Sequence, residues 1–157
     1  MSYPGDEPPS GGSGAAADIL HRAQQMVQAT PQAHALGVEI TAIENGRVRG
    51  RAPYRADLVG DPDTGVIAGG VLTTLLDQIS GTAAVAAMAE PRAVATIDLR
   101  IDYMRPAEPG RDILAEAHCI RITRNVAFVR AVAFEDSADN PIAHAASTFM
   151  IAGGRNP

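Results

Sequence analysis

The chain has 157 residues, 46% of them hydrophobic, which suits one domain with a sizeable core. Its formal net charge of −5 argues against nucleic acid or an anionic membrane surface as the main partner. A single cysteine, Cys119, excludes an intrachain disulfide and fits a reducing compartment; within a strand-like run, it reads as a small core residue rather than a nucleophile.

Residues 1–14 are rich in Pro, Gly and Ser and read as a disordered tail. The remainder, 15–157, reads as a single domain with an N-terminal helix. That helix is predicted over 15–29, with Ile19, Leu20, Ala23, Met26 and Val27 on one face and Pro31 closing it. It is expected to pack outside the sheet or to cover a site entrance. No basic, apolar leader opens the chain, and no stretch reads as a membrane span, so a cytoplasmic protein with no membrane partner is expected.

Residues 38–43 form an apolar strand, and Asn45-Gly46 marks a hairpin turn into a second strand over 47–52. Residues 56–65 carry turn formers and charge and read as a loop. The next stretch organises the chain. Apolar residues at 72, 75, 76, 79, 83 and 86 recur near the helical period, while small residues fill much of the opposite face. This pattern predicts a buried helix. Asp77 is the only ionisable side chain between residues 64 and 89. A carboxylate there is costly to desolvate unless something pairs with it or uses it. It is either a structural Asp reaching water or an amide, or a carboxylate held for chemistry.

Gly69-Gly70 opens that helix. Its first amides are uncovered by Cβ atoms, at the end of a helix that carries unpaired N–H groups and partial positive charge. Such an end can hold a phosphate or a polarised carbonyl oxygen; equally, two glycines can serve only to turn the chain tightly into the helix. Asp77 follows Gly69 by eight positions, roughly 12 Å along one helix. One small reacting group cannot touch both, so if both act on one bond the second comes from another copy of the chain. After the helix, Ile97, Leu99, Ile101 and Tyr103 alternate with Asp98, Arg100 and Asp102, a half-buried strand, and further strands are predicted over 112–123, 126–136 and 141–152. A long apolar helix with hairpin-linked strands on either side gives an α+β layout.

The run from Ala68 to Ser80 resembles the central-helix motif of the PaaI-type branch of the hotdog-fold thioesterases. In that branch a His-Gly-Gly helix start is followed, eight residues after its first Gly, by an Asp. The segment from Thr96 to Ala107, with its Tyr103-Met104-Arg105-Pro106, resembles the strand that follows in this family, as does the pairing of 125–128 with 143–145. The likeness covers roughly residues 36 to 152. One departure stands out: the family's frequent His before Gly-Gly is Ala68 here.

The resemblance implies a hotdog fold, with an antiparallel sheet wrapped around the long central helix. It implies an acyl-coenzyme A thioesterase, working as a homodimer or dimer of dimers. In it Asp77 is the catalytic carboxylate, general base or nucleophile, and the Gly69 N–H of the facing subunit polarises the carbonyl. Thr96 falls where relatives place a Ser hydroxyl near the attacking water; equally, it reads as a β-branched residue that opens a strand. Gly70 joins Gly69 at the helix start as a substrate-binding position. Coenzyme A brings phosphates, so arginines near the mouth are expected, with Arg121 and Arg124 beside a strand turn as candidates, or else as solvated edge charge. No cofactor is expected, coenzyme A being part of the substrate. His21, His34, His118 and His144 show no metal-ligand spacing with each other or with Cys119, so no metal is expected. The rival reading is a non-catalytic acyl-CoA-binding protein, a sensor or partner subunit, which Ala68 keeps open.

Overall fold

The computed structural model describes residues 12–44 and 46–153. Most of the expected tail, and Asn45 of the expected hairpin turn, lie outside them. In chain order the elements are α1 (Gly12–Gln28), α2 (Pro31–Leu36), β1 (Glu39–Glu44), β2 (Arg47–Ala52), β3 (Val59–Asp61), β4 (Val66–Ile67), α3 (Gly69–Ala86), β5 (Val94–Tyr103), β6 (Ile113–Ile122), β7 (Val126–Phe134) and β8 (Ala143–Ile151). Among the described residues the main sheet has six strands in the order β1-β2-β6-β7-β8-β5, each pair antiparallel.

The sheet holds α3 as the expected hotdog fold requires: α3 packs against β2, β5, β6, β7 and β8. Leu72, Leu75, Leu76, Ile79 and Ala83 are buried, as the helical period predicts, while Ala86 near the helix end is exposed. Flanking this stripe Ser80, Thr82 and Ala84 are buried too, so the helix sinks into the sheet on its flanks through small residues. Each fully buried Leu or Ile contributes about 1.5–3 kcal/mol relative to exposure. The facing strands supply alanines, among them Ala115, Ala117, Ala127, Ala131 and Ala133, which let the helix approach the backbone. Strands β7 and β8 alternate buried and less buried positions along their lengths, the period-2 pattern of a sheet with one face on the core. Gly50 marks the closest approach, since a Cβ there would lie 2.5 Å from Ile79 Cγ2 and 2.9 Å from the Glu39 carbonyl oxygen.

The hairpin between β1 and β2 turns through Gly46, whose φ of +74° is left-handed backbone. Two sequence expectations need correction. Pro31 does not close the first helix; it opens the short helix α2 after the cap residue Thr30, because Pro at the first helical positions removes only an amide that has no intrahelical partner. The stretch 56–65 is not all loop, since it holds a 3-10 turn and strand β3, which pairs with β4. Helix α1 covers the outer edge of the sheet. Gln24 Nε2 donates to the Ile40 carbonyl and Gln28 Nε2 to the Val38 carbonyl, both at 3.0 Å, so groups that an edge strand leaves open are paired within the chain. No helix among the described residues is long and apolar enough to cross a membrane.

Candidate active site

Asp77 lies on α3, partly buried, facing the first residues of β5. The Thr96 hydroxyl donates to Asp77 Oδ1 at 2.8 Å, joining residues 19 apart in sequence. A bulge makes this contact. Thr96 pairs with Phe149 and Asp98 with Thr148, leaving Ile97 as an extra residue on β5. Bulges re-aim side chains, and here the bulge lets Thr96 sit opposite buried Phe149 and reach the helix. The sequence pattern placed Ile97 on the same face as Leu99 and Ile101. In the structure Ile97 is 54% exposed, because the bulge takes it out of the alternation.

Gly69 is the first residue of α3, with Ala68 as its cap at φ −59°, ψ 135° and no side-chain capping bond. The Ala68 amide is tied to the Leu58 carbonyl at 2.9 Å. Gly60 on β3 backs directly onto it, for a Cβ there would lie 2.7 Å from Ala68 Cα. Gly69 and Gly70 are both exposed, and a Cβ on Gly70 would meet nothing within 4 Å. The Gly69 carbonyl accepts from the Tyr103 hydroxyl at 3.0 Å and from the Thr73 hydroxyl at 3.2 Å. The start of the helix is therefore fixed from its carbonyl side, with glycine leaving the amide side unscreened. Within the chain, Asp77 and Thr96 come together, while Gly69 and Gly70 sit two helical turns away, roughly 12 Å.

A cleft of 460 Å³ opens beside Asp77. Its polar wall comprises Asp77, Gln78, Thr82, Thr96, Thr30 and Arg92; its apolar wall includes Met26, Val85, Pro91, Val94 and Phe149. Met26 near the end of α1 and Thr30 just after it form one side. The candidate phosphate arginines lie elsewhere: Arg121 near the end of β6 and Arg124 in the turn to β7, both exposed and neither lining the cleft. The arginine that does line it, Arg92, was not singled out by sequence. Its signal was present in Glu90-Pro91-Arg92, the segment that must carry the chain from the end of α3 back to Thr96. Cys119 is partly buried; burial pushes its thiol up, in keeping with a packing role rather than a nucleophilic one.

Comparison with known proteins bears on this geometry. A sequence profile of the thioesterase superfamily matches residues 64–140, the span that contains Gly69, Asp77 and Thr96. A Halobacterium salinarum protein named as a candidate esterase is 38% identical over 109 residues, 66% of this chain and 71% of that protein. A Pseudomonas aeruginosa crystal structure is 39% identical, covering 84% of this chain and 98% of that one, with a TM-score of 0.77. The E. coli PaaI protein from the phenylacetic acid degradation operon shares the fold, with 19% identity, 88% and 96% coverage and a TM-score of 0.76.

Proposed function

The chain belongs to the thioesterase superfamily, and from that premise we propose that it hydrolyses acyl-coenzyme A thioesters at a site shared between two copies of the chain. The observation that carries the reading is the Thr96–Asp77 hydrogen bond at the edge of the cleft. An aspartate on an otherwise uncharged buried helix is there oriented by a hydroxyl and open to a space large enough for an acyl group. Acting as base, Asp77 takes a proton from water as the water oxygen adds to the thioester carbonyl. The tetrahedral intermediate then expels the thiolate, which leaves as the thiol once protonated. Acting as nucleophile, the carboxylate adds first, the C–S bond breaks to expel the thiolate, and water then hydrolyses the resulting mixed anhydride to free acid and regenerated Asp77. In both routes negative charge develops on the carbonyl oxygen. The amides of Gly69 and Gly70 at a helix N-terminus suit that charge, and their distance from Asp77 on one helix requires the partner copy to supply them. Ala68 supports the rival reading of a non-catalytic acyl-CoA-binding protein, since no side chain at that cap positions a substrate.

A mixed dimer tests this. Gly69→Pro removes one amide hydrogen; Ala68 already has the extended ψ that a following proline needs, and only the half-exposed Tyr103 hydroxyl, 3.1 Å from the new Cβ, must yield slightly. Homodimers of Gly69→Pro and of Asp77→Asn are each expected to lose thiol release on an acyl-CoA panel. In the mixed dimer one site carries both lesions and the other neither, so roughly half the native activity returns. A folded, fully exchanged mixed dimer with no activity would refute the shared site. A native protein that binds acyl-CoA but hydrolyses none of the panel would favour the rival.

A further inference from the structure

Most polar groups of the cleft are already committed within the protein. Thr30 donates to the Met26 carbonyl at 3.2 Å, Thr82 to the Gln78 carbonyl at 2.8 Å, and Thr96 to Asp77. The exceptions are Arg92 and the Gln78 amide: among the described residues no side-chain hydrogen bond or ion pair engages either one. Arg47, Arg49, Arg51, Arg55, Arg100, Arg105 and Arg111 meet carboxylates; Arg22, Arg121, Arg124 and Arg130 do not, but all four are exposed and none lines the cleft, which sets Arg92 apart by its place. It is also partly buried. A partly buried guanidinium with five donors, lining a cleft beside a carboxylate and not committed to any side chain of the described residues, suits an anion.

We propose that Arg92 selects acyl groups that carry a second carboxylate at their far end. The inference rests on the thioesterase reading and names its substrate class. Position decides between the two anionic parts of such a substrate. Arg92 precedes Thr96 by four residues, a span of at most roughly 14 Å of extended chain, and lines the same cleft as Asp77. Its backbone is held in place, since the adjacent Ala93 carbonyl accepts from the Ala152 amide at 2.8 Å and Val94 pairs with Ile151. A group meeting Arg92 inside this cleft is therefore close to the reacting carbon. The phosphates of coenzyme A sit at the far end of the long pantetheine arm, whereas a distal carboxylate of a short acyl group lies within reach. The planar fork of Arg matches a carboxylate in two parallel hydrogen bonds. The apolar wall of Val85, Val94 and Phe149 suits the methylenes between the two ends.

The test compares the native chain with Arg92→Gln on a straight-chain acyl-CoA and on its ω-carboxylate counterpart of equal length, each also made as the pantetheine thioester. Non-hydrolysable thioether analogues of the two CoA compounds give affinities by calorimetry. The native chain is expected to favour the ω-carboxylate in kcat/KM, and Arg92→Gln to lose roughly 10- to 150-fold on it, the range for a hydrogen-bonded charge. The neutral substrate should change little, and the pattern should be the same for pantetheine thioesters. A loss confined to CoA compounds and equal for both acyl types would assign Arg92 to a phosphate and overturn the proposal, as would equal handling of all substrates by both proteins. Failure of the hydrolysis reading looks different: no turnover, yet tighter thioether binding of the ω-carboxylate that Arg92→Gln abolishes. That result would leave the selection by Arg92 standing.

Discussion

Replacing Thr96 by Val tests whether the bond to Asp77 serves chemistry. The two side chains have nearly the same shape, so the change deletes one hydroxyl and leaves the bulge at Ile97 intact. The magnitude depends on water. Thr96 is exposed in the single chain, where water could replace the lost donor and the net effect would be about 0.5–1.5 kcal/mol, a factor of roughly 2 to 12. If substrate and a partner copy exclude water during turnover, the charge-assisted bond is worth about 1.5–3 kcal/mol, or roughly 10- to 150-fold. The assay is kcat/KM for thiol release at fixed pH, with melting temperature and circular dichroism as fold controls. Thr96→Val is expected to fall by more than tenfold, and Thr96→Ser, which keeps the hydroxyl, to retain most activity. If Thr96→Val holds within twofold of the native rate, Thr96 is only a strand residue and the carboxylate is oriented by something else.

Two further outcomes concern the scaffold. Ser80 Oγ is buried with no hydrogen-bond partner among the described residues; Ser80→Ala removes an unpaired polar atom from a helix and should stabilise by about 1 kcal/mol, seen as a rise of about 2–4 °C in melting temperature. Glu135, with its side chain 3% exposed, is bonded by Arg105 and by the Glu108 amide. Burial alone would push this carboxyl up, but those bonds outweigh it and hold it below its ordinary range. A depressed carboxyl contributes stability above its unfolded value, ~4.3, and loses it as pH falls through the folded value. Glu135→Gln should therefore cost stability at pH 7 in denaturant unfolding, of the order of the roughly 1.5–3 kcal/mol typical of hydrogen bonds to a charged group, with the gap to native narrowing in acid. A gap independent of pH would contradict this reading of the pair.

The sequence carried the helix and the strands because their signals are local. The 3.6-residue period of Leu72, Leu75, Leu76 and Ile79 and the glycine pair at the start each lie within one element. The bulge at Ile97 was hidden for the opposite reason. The alternation of residues 97 to 103 reads as an unbroken strand, and the extra residue emerges only when Phe149 and Thr148 set the register from β8. Proline stops a helix or opens one by the same chemistry, so the presence of Pro31 in the sequence does not distinguish the two. The cleft was invisible because its walls come from the end of α1, the second half of α3 and the approach to β5, brought together only by the fold.

Strand β5 links the two halves of the proposed site. Thr96 near its start touches Asp77, and Tyr103 at its end touches Gly69. These residues are seven positions apart, roughly 23 Å of strand, so β5 runs back along α3 and marks both its chemically interesting points. It is also an edge strand, with the apolar side chain of Ile97 left exposed. A two-fold axis near the middle of β5 would bring the Thr96 end of one copy toward the Tyr103 end of the other, and Asp77 toward the partner's Gly69. Ile97→Asp puts a charge on that edge. Losing apolar burial of about 1.5 kcal/mol on each copy weakens association by roughly 100-fold, with carboxylate desolvation adding to it. The variant is expected to sediment as a folded monomer at concentrations where the native chain is dimeric, and to lose hydrolysis. Because the lesion acts through association, its activity per chain should climb as protein concentration rises through the new dissociation constant. A monomeric Ile97→Asp that turns over at the native rate would place the whole site within one chain, and an activity loss unaffected by concentration would make Ile97 a local neighbour of Thr96 rather than part of an interface.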